Sequence, residues 1–146
     1  AAGNVIEVVD FGAAKTLTIN GTGAGTLTLP AITALTTTDV VATGTTQAIT
    51  PTFVTAVKSY AGGSGVDTIN GGDNNDHIYG YAGADILSGD ADDDKILGGL
   101  DNDTIRGGAG DDDLRGEAGD DTIYTGSGTD TVTGGLGDDT IIIDGL

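Results

Sequence analysis

The 146-residue sequence has no cysteine, methionine or tryptophan, a single histidine, and only five lysines and arginines. Without cysteine there is no disulfide staple, so an exported chain of this composition needs another cross-link. The five bases face 23 aspartates and glutamates, for a formal net charge of −18. That balance argues against nucleic acid and anionic membranes as partners. No apolar run approaches the length of a membrane span, so no membrane insertion is expected. The signatures of hydrolytic chemistry are missing as well: the sequence contains neither HExxH nor GxSxG. His77, the lone histidine, has no partner in the sequence pattern to orient it as a general base. The chain is therefore expected not to be an enzyme.

What is present is a repeat. From Gly62 to Ile142 the chain divides without insertion into nine nonapeptides, among them GGSGVDTIN, GGAGDDDLR and GGLGDDTII. The sixth place is always aspartate: Asp67, Asp76, Asp85, Asp94, Asp103, Asp112, Asp121, Asp130 and Asp139. The eighth is always aliphatic, from Ile69 through Ile78, Leu87, Ile96, Ile105, Leu114, Ile123 and Val132 to Ile141. A strict short period marks a solenoid, whose units bury their apolar faces only against one another. A solvated acidic run, the usual meaning of clustered charge, does not keep an aliphatic residue at every ninth position.

Within a repeat, places seven to nine read polar–aliphatic–polar, a short strand with its middle residue turned inward. Places one to six are rich in Gly and Asp and read as a turn. The fourth place holds Gly, or else Asn74, Asp92 or Asp101, the residue types that tolerate positive φ. The first is Gly except for Thr125, and the second is looser, admitting Tyr81, Asp90 and Glu117. The backbone is thus expected to be tightly specified at places one and four. One repeat reverses the chain and two complete a coil, so repeats two apart stack, with Asp67 beside Asp85 and Asp76 beside Asp94. Such a column of carboxylates repels itself unless a divalent cation lies between each pair. Hard oxygen donors, no Cys and one His point to calcium over zinc or copper, and turns with several free carbonyls suit calcium better than magnesium. Lys95, Arg106 and Arg115 fall at places seven or nine, on the flat faces and away from these turns. His77, at place seven, is expected to be exposed, and Tyr60, Tyr79, Tyr81 and Tyr124 read as surface or packing residues too scattered for a stacking platform.

The nonapeptides resemble the RTX calcium-binding repeat, GGxGxDxUx, over a little more than half of the chain. The resemblance implies an all-β, right-handed parallel β-roll with calcium between stacked turns. It also implies the ligands: the place-six Asp of both turns, carbonyls of places two and four on the earlier turn, and carbonyls of places one and three on the later. Carried over, the first site takes Gly63, Gly65 and Asp67 with Gly80, Ala82 and Asp85, and the second Gly72, Asn74 and Asp76 with Gly89, Ala91 and Asp94. Later turns contribute the carbonyls of Gly98, Leu100, Gly107, Ala109, Gly116, Ala118, Thr125, Ser127, Gly134 and Leu136. About seven ions result; they would offset fourteen of the eighteen net charges and leave −4. Thr125 departs from the pattern, but its carbonyl stays available.

Three regions are expected: a Thr/Ala-rich N-terminal β region over 1–61, the roll over 62–142 and a tail over 143–146. Strands are expected at Val5–Val9, Thr16–Ile19, Thr26–Leu29, Ile32–Leu35, Asp39–Ala42 and Gln47–Ile49, with the stretch from Pro51 to Tyr60 read as strand rather than short helix. The N-terminal region is expected to pack on, or continue into, the roll. Its Thr-rich, Cys-free strands weakly resemble bacterial surface-layer and adhesin segments. The chain opens on Ala1 without a signal peptide and ends soon after the ninth repeat without a C-terminal secretion signal, as expected of a processed or excised piece.

Two functions are open. One is a non-catalytic extracellular or cell-surface structural protein, exported by the type I route, that folds on calcium and self-assembles head to tail into a filament, matrix or surface layer. The other is the C-terminal folding and secretion module of a type I secreted enzyme. Beyond these two lies a third class, a calcium-dependent carbohydrate-binding module with a cell-surface polysaccharide as partner, for which the sequence shows no aromatic sugar platform.

Overall fold

The computed structural model describes residues 59–145 throughout and, before them, the strand backbones at 16–18, 27–28, 39–41 and 49–50. All of its regular structure is β, and every described strand pair is parallel. The strands are β1 (Thr16–Thr18), β2 (Leu27–Thr28), β3 (Asp39–Val41), β4 (Ile49–Thr50), β5 (Ser59–Ala61), β6 (Thr68–Gly72), β7 (His77–Ala82), β8 (Ile86–Ala91), β9 (Lys95–Leu100), β10 (Thr104–Ala109), β11 (Asp113–Ala118), β12 (Thr122–Ser127), β13 (Thr131–Leu136) and β14 (Thr140–Ile142). No described helix is long and apolar enough to cross a membrane.

Odd and even strands sort into two sheets. One runs β1-β3-β5-β7-β9-β11-β13 and the other β14-β12-β10-β8-β6, while β2 and β4 form a separate pair. Each repeat therefore adds one strand, alternately to the two faces, and the partner of every residue in the array lies eighteen positions away, as His77 to Lys95 and Ile105 to Ile123 show. This is the parallel β-roll that the repeat implies. The step between partners is longer lower down: Thr16 pairs with Asp39, Asp39 with Ser59, and only from Ser59 to His77 does the eighteen-residue coil begin. The strands expected at Thr16–Ile19, Thr26–Leu29, Asp39–Ala42 and Gln47–Ile49 are present with edges shifted by one or two residues. Val5–Val9, Ile32–Leu35 and residues 51–58 lie outside the described residues.

The strands in the array differ from the sequence expectation. From β7 to β13 they are six residues long and run through places seven, eight, nine, one, two and three, leaving only places four to six as the turn. The glycines of places one and two thus lie within strands. At place one the reason is close approach. A Cβ built on Gly80 would lie 2.5 Å from the carbonyl oxygen of Gly98 in the coil above and closer still to the Asp85 carboxylate. At place two the reason is conformation: φ is +126° at Gly99 and +122° at Gly108, and Tyr81, Asp90 and Glu117 hold the same left-handed backbone at +78° to +80°. The looser composition at place two does not reflect a looser backbone. Place four has positive φ as expected, in Asn74, Asp92 and Asp101 as well as in Gly.

The core consists of place-eight side chains in two facing columns. Ile78, Ile96 and Leu114 stack on one sheet, and Ile69, Leu87, Ile105 and Ile123 on the other, all buried. Each contributes roughly 1.5–3 kcal/mol by leaving water. Tyr60 continues the first column downward: it pairs with Ile78, is buried, and donates its hydroxyl to the Gly71 carbonyl at 3.1 Å. At the upper end the columns open. Ile141 is 47% exposed although it holds the inward place, while Ile142, which strict alternation turns outward, is half-buried. Among the described residues no further coil lies on Ile141.

Candidate metal centre

The turns place the place-six aspartates in two columns, one along each edge of the roll. Asp67, Asp85, Asp103, Asp121 and Asp139 form one, and Asp76, Asp94, Asp112 and Asp130 the other. In every stacked pair the backbone N–H of the lower Asp donates to Oδ1 of the upper: Asp67 to Asp85, Asp76 to Asp94, Asp85 to Asp103, Asp94 to Asp112, Asp103 to Asp121, Asp112 to Asp130 and Asp121 to Asp139, at 2.7–3.1 Å. The place-six carbonyl is committed too, accepting from the place-seven N–H of the coil above, as Asp85 does from Thr104 at 2.8 Å. In Asp85, Asp94, Asp103, Asp112 and Asp121 both the backbone and Oδ1 are thus consumed in stacking. The other carboxylate oxygen is turned into the roll, beneath the place-one glycine.

That second oxygen defines the site. Oδ2 of Asp85, Asp94, Asp103, Asp112 and Asp121 is buried and has no hydrogen-bond partner. Burial pushes the carboxyls of Asp85, Asp94 and Asp103 up to about 7; the stacking N–H opposes this shift, and neighbouring carboxylates of the column add to it. Asp112 rises to about 6 and Asp121 in the same direction, again first by burial. A buried carboxylate with an unsatisfied oxygen is costly to keep ionised. A divalent cation removes that cost for two carboxylates at once.

Carbonyls face the same gaps between coils. The place-four oxygens of Gly65, Asp92, Asp101, Gly110 and Gly119, and the place-two oxygens of Tyr81, Asp90, Gly108 and Glu117, lie within 3.0 Å of where a Cβ would stand on the glycine of the coil above. From above, the place-one oxygens of Gly80, Gly89, Gly98, Gly107, Gly116, Thr125 and Gly134 approach the place-one glycine below equally closely. Among place-three carbonyls, those of Leu100, Ser127 and Leu136 accept from the N–H of Gly83, Gly110 and Gly119 at 2.8–3.2 Å, and Gly63, at place two, accepts from Ala82 at 3.3 Å. A carbonyl has two lone pairs, so these bonds leave one free for a metal. For Ala82, Ala91, Ala109 and Ala118 the strand register alone sets their place. Thr125, the one place-one residue with a side chain, is buried, and its carbonyl points with the others.

This donor set suits a hard cation of irregular coordination. Among the described residues no three His, Cys, Asp or Glu side chains converge. A cation between two coils would draw on two carboxylates and on backbone oxygens, as calcium accepts and zinc does not. A family model for the RTX calcium-binding nonapeptide repeat in four copies matches residues 61–96, 88–123 and 106–141, together more than half of the chain. The chain belongs to the RTX calcium-binding repeat family. It is a calcium-binding β-roll protein. No curated protein and no solved structure matches it.

In this RTX roll one feature of the turns escaped sequence reasoning. The place-five side chains form a second ladder that reaches upward where place six reaches downward. Asp93 Oδ1 accepts from the N–H of Asp111, Asn102 from Asp120, Asp111 from Thr129 and Asp120 from Asp138, at 2.8–3.0 Å. The signal was present in the recurrence of Asp and Asn at that place. The bases stand on the flat faces as expected. Lys95 and Arg115 both pair with Asp113, at 3.6 and 3.0 Å, and the Arg106 guanidinium sits 4.8 Å from the Tyr124 ring centre. His77 is exposed.

Proposed function

We propose that this RTX protein is a non-catalytic structural component of the extracellular space or cell surface, exported by the type I route typical of RTX repeats, that binds about seven calcium ions and self-assembles head to tail. The observation that supports assembly is the end of the roll at β13 and β14, the edge strands of the two sheets. Ile141 and Ile143 are exposed there, and with Val132, Asp130 and Thr125 they line a cleft of about 240 Å³ that opens into the core. Among the described residues Asp130 and Asp139 are the uppermost of their columns, with no aspartate stacked above them. Unpaired edges with apolar ends recruit further strands, and a contact between unlike ends propagates into a fibre unless it closes a ring.

Electron microscopy of the chain with calcium and with chelator tests this. Filaments or sheets are expected only with calcium, and Ile143→Asp, at an already exposed position, should abolish them while leaving the β spectrum intact. A stable monomer at high protein and calcium concentration overturns assembly and favours the folding module of a secreted enzyme.

A further inference from the structure

The outer face of the odd-strand sheet carries a groove of about 430 Å³; the backbone of several lining residues faces the calcium gaps, but their side chains do not. Its lower rim is a pair of tyrosines. Tyr79 and Tyr81, on β7, stack with ring centres 6.3 Å apart and planes 26° from parallel, and Tyr81 is half exposed. The four tyrosines are scattered along the sequence, but these two form a platform. The floor above them is Leu97, Gly98 and Gly99 on β9, and the upper rim holds Glu117 on β11, with Leu100 and Leu136 alongside. Tyr81, Gly99 and Glu117 are successive partners at place two of one sheet. Two sheet spacings, about 10 Å, therefore separate the backbones of Tyr81 and Glu117, and glycine puts no side chain between them.

On this face the left-handed backbone of place two falls on the same two residues, as it does on Asp90 of the other face. Tyr81 and Glu117 keep the left-handed backbone, at +78° and +79°, where Gly99 and Gly135 stand in the same column. An L-residue is strained there, and strain retained at an exposed position is a pointer to function. The roll accepts this strain twice on one face, to project an aromatic ring and a carboxylate across an open floor.

We propose that this groove binds a neutral carbohydrate, one sugar ring stacking on Tyr81 while its hydroxyls donate to Glu117. A purely apolar occupant would strip water from the Glu117 carboxylate and leave it unpaired, which is costly; sugar hydroxyls satisfy it. No Lys or Arg lines the groove to pair with an acidic glycan, and Glu117 opposes one, so the ligand is uncharged. Self-assembly is not required for this site.

The test uses the full chain in saturating calcium, titrated with cellohexaose, laminarihexaose and mannohexaose. Backbone amide shifts at Tyr79–Tyr81 and Leu97–Leu100 and tyrosine fluorescence, which no tryptophan masks, report binding. At least one sugar should bind saturably, and Tyr81→Gly and Glu117→Gly should each weaken it about ten-fold. Both substitutions restore the glycine of the column, so the calcium-loaded β spectrum should not change. No shift with any of the three sugars, or equal affinity in Tyr81→Gly, overturns the assignment. Loss of self-association in Tyr81→Gly without sugar binding in the parent also overturns it, and makes the groove an interface between copies.

Discussion

The backbone N–H of Asp103 donates to Oδ1 of Asp121 at 2.8 Å, while Oδ1 of Asp103 itself accepts from the N–H of Asp85 at 2.8 Å. Asp103 thus joins three coils and borders two calcium gaps. Asp67 only donates upward in its column and borders one. Asp103→Ala should therefore weaken two adjacent sites, each by at least the ten- to hundred-fold order that even outer-shell partners of a metal are worth, and Asp67→Ala only the terminal one. Titration calorimetry with equal losses for both variants contradicts the stacked arrangement.

Replacing the charge while keeping the bond separates the two roles of the carboxylate. Asp103→Asn retains an oxygen for the Asp85 N–H and removes a buried ionised group. The metal-free roll should gain stability near neutral pH, while calcium binding at the two adjoining gaps falls. Urea unfolding in chelator, set beside calcium titration, checks both directions. A variant less stable than the parent in chelator counts against carboxylate repulsion as the obstacle to metal-free folding.

Protonation offers the same relief. Asp85, Asp94 and Asp103 have their carboxyls raised from 3.8 to about 7 in the folded roll by burial. Between these values the folded state holds protons that the unfolded chain has released, so stability falls as pH rises through that window. Without calcium, β-structure should form near about pH 5 and be lost above about pH 8. Circular dichroism in chelator across this range checks the sign; β-structure that strengthens with pH refutes it.

Glycine at place one should be irreplaceable. A Cβ on Gly98 lies 2.8 Å from the Gly116 carbonyl and closer to the Asp103 carboxylate. Gly98→Ala should cost about 1–3 kcal/mol by overpacking and lower the melting temperature in saturating calcium. Tyr81→Gly, which relieves a left-handed tyrosine, should leave it unchanged or raise it. Equal effects of the two substitutions go against the close approach described for place one.

The period and the inward places were legible because each has one physical meaning. Aspartate at every sixth place and an aliphatic at every eighth reveal the eighteen-residue coil, the two columns and the core. Strand length was not legible, because glycine is ambiguous. Gly98 and Gly99 read as turn residues, yet one is small to admit a carboxylate and a facing carbonyl, and the other to take a positive φ inside a strand. Neither demand exists until coils stack. Tyr60 filling an aliphatic slot, and the meeting of Tyr79 with Tyr81, likewise depend on register. Lys95 and Arg115 could be placed on a flat face from sequence, but their shared partner Asp113 could not, since Lys95 meets it from the coil below.

The central claim is that calcium between stacked aspartates drives folding of the roll. The most direct measurement is far-ultraviolet circular dichroism of the chain at neutral pH, first in excess chelator and then through a calcium titration. A disordered array is expected in chelator, with a cooperative rise of β-structure as calcium reaches the roughly 10⁻⁴–10⁻³ M range of extracellular modules. A complete β spectrum in chelator, unchanged by calcium, would contradict it.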